Sequence, residues 1–326
     1  MPSAINVLFL PHPGEHGLFD PWGKDVVELV SARHNLRQYD ADQPMAPQFE
    51  NIDVVVDHGG SAGTTEMADI AAGKVKLWQI LGQGTDHFDL EYWRNKNIPV
   101  SNCPGQFSAA ALSECAMMFI LMLARQYQDC RANLDAGGFY EPTASGLEGL
   151  KLSIIGFGAS GIELAKRALP FGLELHAVDV RTIDEVEIRK YGLKSAVGAE
   201  RMDDLIASSD FVSVHLHLNN ETRHIIDDRR IRLMKPTAFL VNVARGELVD
   251  ESALSAALVE GRIGGAGIDV FGQEPPDLSQ PIFQMPNVVI TPHIAGSTKV
   301  TSRNRAGAAA ENVDRIANGL DPLYRV

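Results

Sequence analysis

Between an apolar run at residues 152–155 and a helically spaced stretch at 162–169 stands Gly156-Phe-Gly158-Ala159-Ser160-Gly161. Placed between a strand and a helix, this pattern constrains the fold tightly, because each glycine answers a backbone demand. The first permits the turn out of the strand, the second lets backbone approach a pyrophosphate, and the third lets the helix pack on the strand. Phosphates then rest at the positive end of the helix dipole. Asp179 follows the next apolar run, eighteen residues beyond Gly161. It is placed to accept hydrogen bonds from an adenosine ribose and to repel a 2′-phosphate, which favours NAD over NADP.

The rest of the chain agrees with a doubly wound α/β reading. Short apolar runs at 5–10, 52–56, 75–81 and 98–100, then at 152–155, 173–178, 211–215, 239–243, 266–268 and 288–290, read as buried strands. Helical spacing at 25–33, 108–125, 162–169 and 302–319 lies between or beyond them, and Asp250 and Gly261 bracket another helix. Alternating strands and helices imply parallel sheets. At 326 residues the chain suggests two domains. The expected division is 1–102 plus 299–326 for one domain and 103–298 for the other. The long apolar helix at 108–125 is expected to bridge them, and the helical tail to return to the first.

Composition narrows the partners. A net charge of -13 argues against nucleic acid or an anionic membrane surface, although one local arginine can still hold an anionic substrate. The three cysteines, Cys103, Cys115 and Cys130, are few and odd in number, so a reducing, cytoplasmic setting is expected. No leader is read at the start of the chain, and no run approaches the length of a membrane span.

Chemistry concentrates between residues 242 and 296. Arg245 and Asp269 each stand at or just past an apolar run, as does His293 in Thr291-Pro-His293-Ile294, and Glu274 precedes Pro275. In a parallel sheet, strand carboxyl ends line the ligand crevice. A guanidinium suits a substrate carboxylate, a histidine can pass a proton, and a nearby carboxylate can stabilise the imidazolium. Asp269 falls where it can meet a nicotinamide or simply cap its strand. His215 and His217, two apart around Leu216, read as loop-edge residues beside the cofactor. No metal site is expected, because no third ligand of suitable spacing follows them.

These residues resemble the D-isomer-specific 2-hydroxyacid dehydrogenases, a group that includes phosphoglycerate dehydrogenase and glyoxylate/hydroxypyruvate reductase. The resemblance spans nearly the whole chain and is densest at 150–298; residues 240–250, Leu-Val-Asn-Val-Ala-Arg-Gly-Glu-Leu-Val-Asp, are its most specific stretch. It implies two Rossmann-like domains, the substrate domain discontinuous and flavodoxin-like. It implies Arg245, Glu274 and His293 as the catalytic set. Cofactor contacts are implied for Gly156, Gly158, Ala159, Ser160, Gly161, Asp179, Leu216, Val243, Ala244, Arg245, Asp269, His293, Gly296 and Gln83. Gly59, Gly60, Gln83 and Arg245 are implied to hold the substrate, and a homodimer is implied through the cofactor domains. Ser160 replaces the isoleucine frequent in the family, and His217 its usual proline. His58 stands where phosphoglycerate-type members have arginine, which argues against a phosphorylated substrate.

The reading is hydride transfer between NAD and C2 of a small 2-keto or 2-hydroxy acid, with the domains closing over it. The alternative is an NAD(H)-sensing corepressor on the same fold. The expected absence of a recruitment tail after residue 326 speaks against it. A lysine-based Rossmann enzyme has no candidate lysine.

Overall fold

The computed structural model describes residues 3–12, 22–58, 63–85 and 88–326. The chain divides into two compact units, Met1–Phe107 with Thr298–Val326, and Ser108–Ser297. The first holds a five-stranded parallel sheet built from β1 (Asn6–Leu10), β2 (Asn35–Gln38), β3 (Val54–Asp57), β4 (Leu77–Ile80) and β5 (Val100–Ser101), in the order β2-β1-β3-β4-β5. This is the flavodoxin-like order. The helices Trp22–Ser31 and Lys299–Ala317 pack against one another in this unit.

The second unit holds seven parallel strands: β6 (Lys151–Ile155), β7 (Glu174–Val178), β8 (Leu193–Val197), β9 (Phe211–Val214), β10 (Phe239–Asn242), β11 (Gly265–Ile268) and β12 (Val288–Ile290). Their order, β12-β11-β10-β9-β6-β7-β8, contains the Rossmann arrangement with one strand added at an edge. The connection reverses direction between β6 and β9, which marks the crevice where such sheets take ligands.

Burial on both faces explains why the strands read as unbroken apolar runs. Ile154 joins a core with Phe119, Leu164 and Leu175 on one face of β6, while its neighbour Ile155 joins Val214, Leu240 and Leu254 on the other. In β3, Val55 likewise packs with Trp78 and Trp93, and Val54 and Val56 with Phe9 and Val313. The helix Ala109–Ala124 lies wholly in the second unit, with Ala116, Phe119, Ile120 and Leu123 in its core. The expectation that it bridges the domains is corrected: so many fully buried apolar side chains tie it to one sheet. No single helix among the described residues is long and apolar enough to cross a membrane.

Two histidines end strands as buried groups. Burial pushes His58, after β3, down to about 4, assisted by the charges of His12 and Arg305, and burial alone pushes His215, after β9, to about 4. Both are neutral in the folded chain at neutral pH, whereas an unfolded histidine titrates near 6.5. Their contribution is complete above the unfolded value and drains away as pH falls from about 6.5 toward 4, by up to about 1.4 kcal/mol per pH unit for each group. Thermal melts at pH 7 and pH 4.5 should therefore show a smaller fall in Tm for His215→Asn than for the unaltered protein. Equal falls would mean that His215 is charged in the fold.

Candidate active site

The glycine loop leaves β6 at Gly156, whose φ of +95° is costly for any side chain. A Cβ there would lie 2.6 Å from the His215 carbonyl oxygen, and one at Gly161 only 2.3 Å from the Gly156 oxygen. At Gly158, the extended cap of the helix Ala159–Ala168, a Cβ would meet nothing within 4 Å. The loop is thus closed on its protein side and open above the helix N-terminus, where Ala159 and Ser160 begin the first turn. That cradle fits a pyrophosphate. Asp179, just past β7, accepts from the Phe157 amide at 2.7 Å and from the Arg181 amide at 3.0 Å, so the acid and the glycine loop are tied together.

Ser160 carries a contact that the sequence did not reveal. Its Oγ lies 3.0 Å from His215 Nδ1, and His215 Nε2 lies 2.9 Å from Ser213 Oγ. His215 therefore sits beneath the cofactor loop, and its buried nitrogens are both satisfied. Leu216 beyond it packs on the second core. His217 has neither contact.

At β10, Asn242 folds the turn that carries Arg245. Its side-chain amide donates to the Arg245 carbonyl at 2.8 Å, and its oxygen accepts from the Ala244 amide at 3.1 Å. Val243 is buried and Ala244 partly so. Gly246 is then obligatory, because a Cβ would fall 1.9 Å from the Phe271 carbonyl carbon. That close approach sets the Arg245 turn directly against the segment leading to Glu274.

Asp269, past β11, has no exposed surface. Thr291 Oγ1 donates to its Oδ1 at 2.6 Å, the Ile294 amide to the same oxygen at 2.8 Å, and the Ala295 amide to Oδ2 at 2.8 Å. Burial raises its pKa, and these donors with the nearby His293 charge pull against that rise. The His293 amide donates to the Asp269 carbonyl at 2.8 Å, and His293 itself holds a φ of +52°. The loop from Thr291 to Gly296 is thus wrapped on one acid, the strand-end role that the sequence allowed.

His293 Nδ1 lies 2.7 Å from Glu274 Oε2, and Glu274 Oε1 accepts from the Phe271 amide at 3.0 Å. Burial pushes the Glu274 carboxyl up, but the hydrogen bond with His293, its charge, the Phe271 amide and the Arg245 charge outweigh burial and hold it below the usual range. With Nδ1 committed, Nε2 remains to face a ligand. Arg245, Asp269 with Glu274, and His293 follow β10, β11 and β12, which are neighbours in the sheet. Gln83 belongs to the other unit, where its side chain crowds Gly105 and its carbonyl accepts from Asn102. Gly59 and Gly60 lie outside the described residues.

Residues 117–295 match the family described as D-isomer specific 2-hydroxyacid dehydrogenase, NAD binding domain. The chain is 36% identical over 262 residues to a glyoxylate reductase of Thermococcus litoralis, covering 77% of this chain and 76% of that one. It is 34% identical over 309 residues to a hydroxypyruvate reductase of Thermotoga maritima, covering 92% and 96%. A D-lactate dehydrogenase from Aquifex aeolicus, solved with NAD and lactic acid, superposes with a TM-score of 0.82 at 27% identity over 96% of each chain. With fold, glycine loop and sequence in agreement, the chain belongs to the D-isomer-specific 2-hydroxyacid dehydrogenase family of NAD-dependent enzymes.

Proposed function

We propose that this chain interconverts a small, unphosphorylated 2-keto acid and its D-2-hydroxy acid, with NAD(H) preferred over NADP(H). The observation that carries the reading is the His293–Glu274 pair at 2.7 Å, set in the strand-end row that also holds Arg245 and the glycine loop. From β12 to β7 the row crosses five strand spacings, about 24 Å. That span suits a dinucleotide lying from Asp179 at its ribose end to Asp269, Val243, Ala244 and Gly296 around its nicotinamide.

Bound NAD supplies the hydride chemistry at C2; the protein's side chains supply the rest. Arg245 grips the substrate carboxylate and carbonyl oxygen through its fork. His293, oriented through Nδ1, gives a proton from Nε2 to that oxygen in reduction and takes it back in oxidation. Glu274 holds the imidazole in place and stabilises its cationic form. Asp269 acts first through the loop it holds, and a contact with the nicotinamide carboxamide is added in this reading. The unit with both chain ends serves as the substrate-binding domain, and Gly59, Gly60 and Gln83 contribute there. Glyoxylate and hydroxypyruvate, the substrates in the relatives' names, are the first candidates.

The protein is proposed to act as a homodimer in a reducing, cytoplasmic setting. An exposed apolar groove in the second unit, lined by Met117, Met118, Leu121, Met122 and Phe171, supports a face of the kind that pairs copies, and all three cysteines are free. The corepressor alternative gains no support from the relatives, which are named as reductases and dehydrogenases.

Steady-state kinetics on the best keto acid should separate the roles. Arg245→Lys keeps charge but loses the planar fork, so KM rises strongly and kcat falls as well. His293→Ala lowers kcat by roughly 10²- to 10⁴-fold with a smaller change in KM. NADH titration by fluorescence should show binding in both variants; near-normal turnover by His293→Ala would remove it as the proton donor. For cofactor choice, the unaltered protein should favour NADH, and Asp179→Ser should relax that preference. Equal use of both cofactors by the unaltered protein would refute it.

A further inference from the structure

The end of β7 carries a second charged device besides Asp179. Arg181 turns back across the strand end, and its Nη2 donates to the Phe157 carbonyl at 3.0 Å. Phe157 is the residue between the first two glycines of the phosphate loop. The same guanidinium meets Glu187 in two-pronged fashion, Nη1 to Oε2 at 2.7 Å and Nη2 to Oε1 at 3.1 Å. Its Nε lies 4.0 Å from Asp179 Oδ2. Glu187 stands in the first turn of the helix Glu185–Tyr191, and its backbone amide is capped by Asp184 at 2.8 Å. The Glu187 position is therefore fixed by helix geometry, and its side chain reaches for Arg181.

An arginine fork beside the adenosine ribose has the chemistry to bind a 2′-phosphate. Here that fork is already filled by a carboxylate of the same planar shape. The hydrogen bond with Arg181 holds the Glu187 carboxyl below its usual range, so it stays ionised throughout the neutral region. We infer that Glu187 is a latch that withholds Arg181 from the cofactor's 2′-phosphate, making Arg181 and Glu187 specificity-determining residues beside Asp179. Cofactor choice then rests on a balance of two acids against one cation, with the cation held in reserve. This rests on the proposed preference for NADH.

The latch faces solvent, with side-chain exposures of 41% for Arg181 and 29% for Glu187, so its hold is modest. Glu187→Gln keeps the shape and removes the ion pair, and Glu187→Ala removes the acceptor altogether. Each should raise the NADPH-to-NADH ratio of kcat/KM by about 3- to 10-fold, through a lower KM for NADPH and not a higher kcat. Arg181→Ala added to Glu187→Gln should abolish the gain. Glu185→Gln, on the same helix and 78% exposed beside Arg189, makes the same charge change without freeing Arg181 and should leave the ratio where it was. An equal gain in Glu185→Gln would reduce the effect to general electrostatics and overturn the latch. A clear preference for NADH that both Glu187 variants leave unchanged would overturn the latch alone. Equal use of NADH and NADPH by the unaltered protein would overturn the preference and the latch together.

Discussion

A fully buried carboxylate at Asp269 is tolerable only because donors converge on both of its oxygens. All three come from the segment that carries His293, so satisfying the acid fixes that loop. The same contact sustains a non-glycine residue at positive φ, which needs its surroundings to over-determine it. The rest of the site is chained to this point. His293 meets Glu274, Glu274 takes the Phe271 amide, and the Phe271 backbone presses on Gly246 beside Arg245. Three neighbouring strands thus present their side chains as one interlocked edge, and a base placed on a lone loop would lack that rigidity.

How far the sequence spoke for the structure depended on what each residue had to satisfy. Gly156 and Gly161 were legible because their demands fall on the backbone, a positive φ at one and a close approach to its oxygen at the other. Central strands were legible because both faces are buried. The edge strands β2 and β8 were not: Asn35-Leu-Arg-Gln38 keeps most of its side chains in water, and Leu193–Val197 buries only its first. Short helices such as Thr65–Ala71, Leu90–Asn95 and Asp228–Leu233 also went unread. Their caps at Thr64, Asp89 and Asp227 are well formed, but six or seven residues show too little of a 3.6-residue period.

In the site, the acid, base and cation carried their chemistry in their residue types. Their supports did not. Thr291 on Asp269, Ser160 on His215 and Glu187 on Arg181 are contacts between segments, or uses of common polar residues that no spacing marks. His215 shows the limit plainly. It read as a loop-edge residue beside the cofactor, yet it lies buried under the glycine loop with its Nδ1 against Ser160 Oγ. A substitution at one of these positions is physically tied to the other.

Hydride transfer to C2, with the proton passed by His293, is the proposed centre of what this chain does. The most direct measurement follows the label: NADH deuterated at C4 on the transferred face, mixed with glyoxylate or hydroxypyruvate and the protein, and the product analysed by NMR and chiral chromatography. The product expected on this proposal carries deuterium at C2 of the hydroxy acid and, for hydroxypyruvate, has the D configuration. Unlabelled product, an L product, or no turnover across a panel of small 2-keto acids would contradict it.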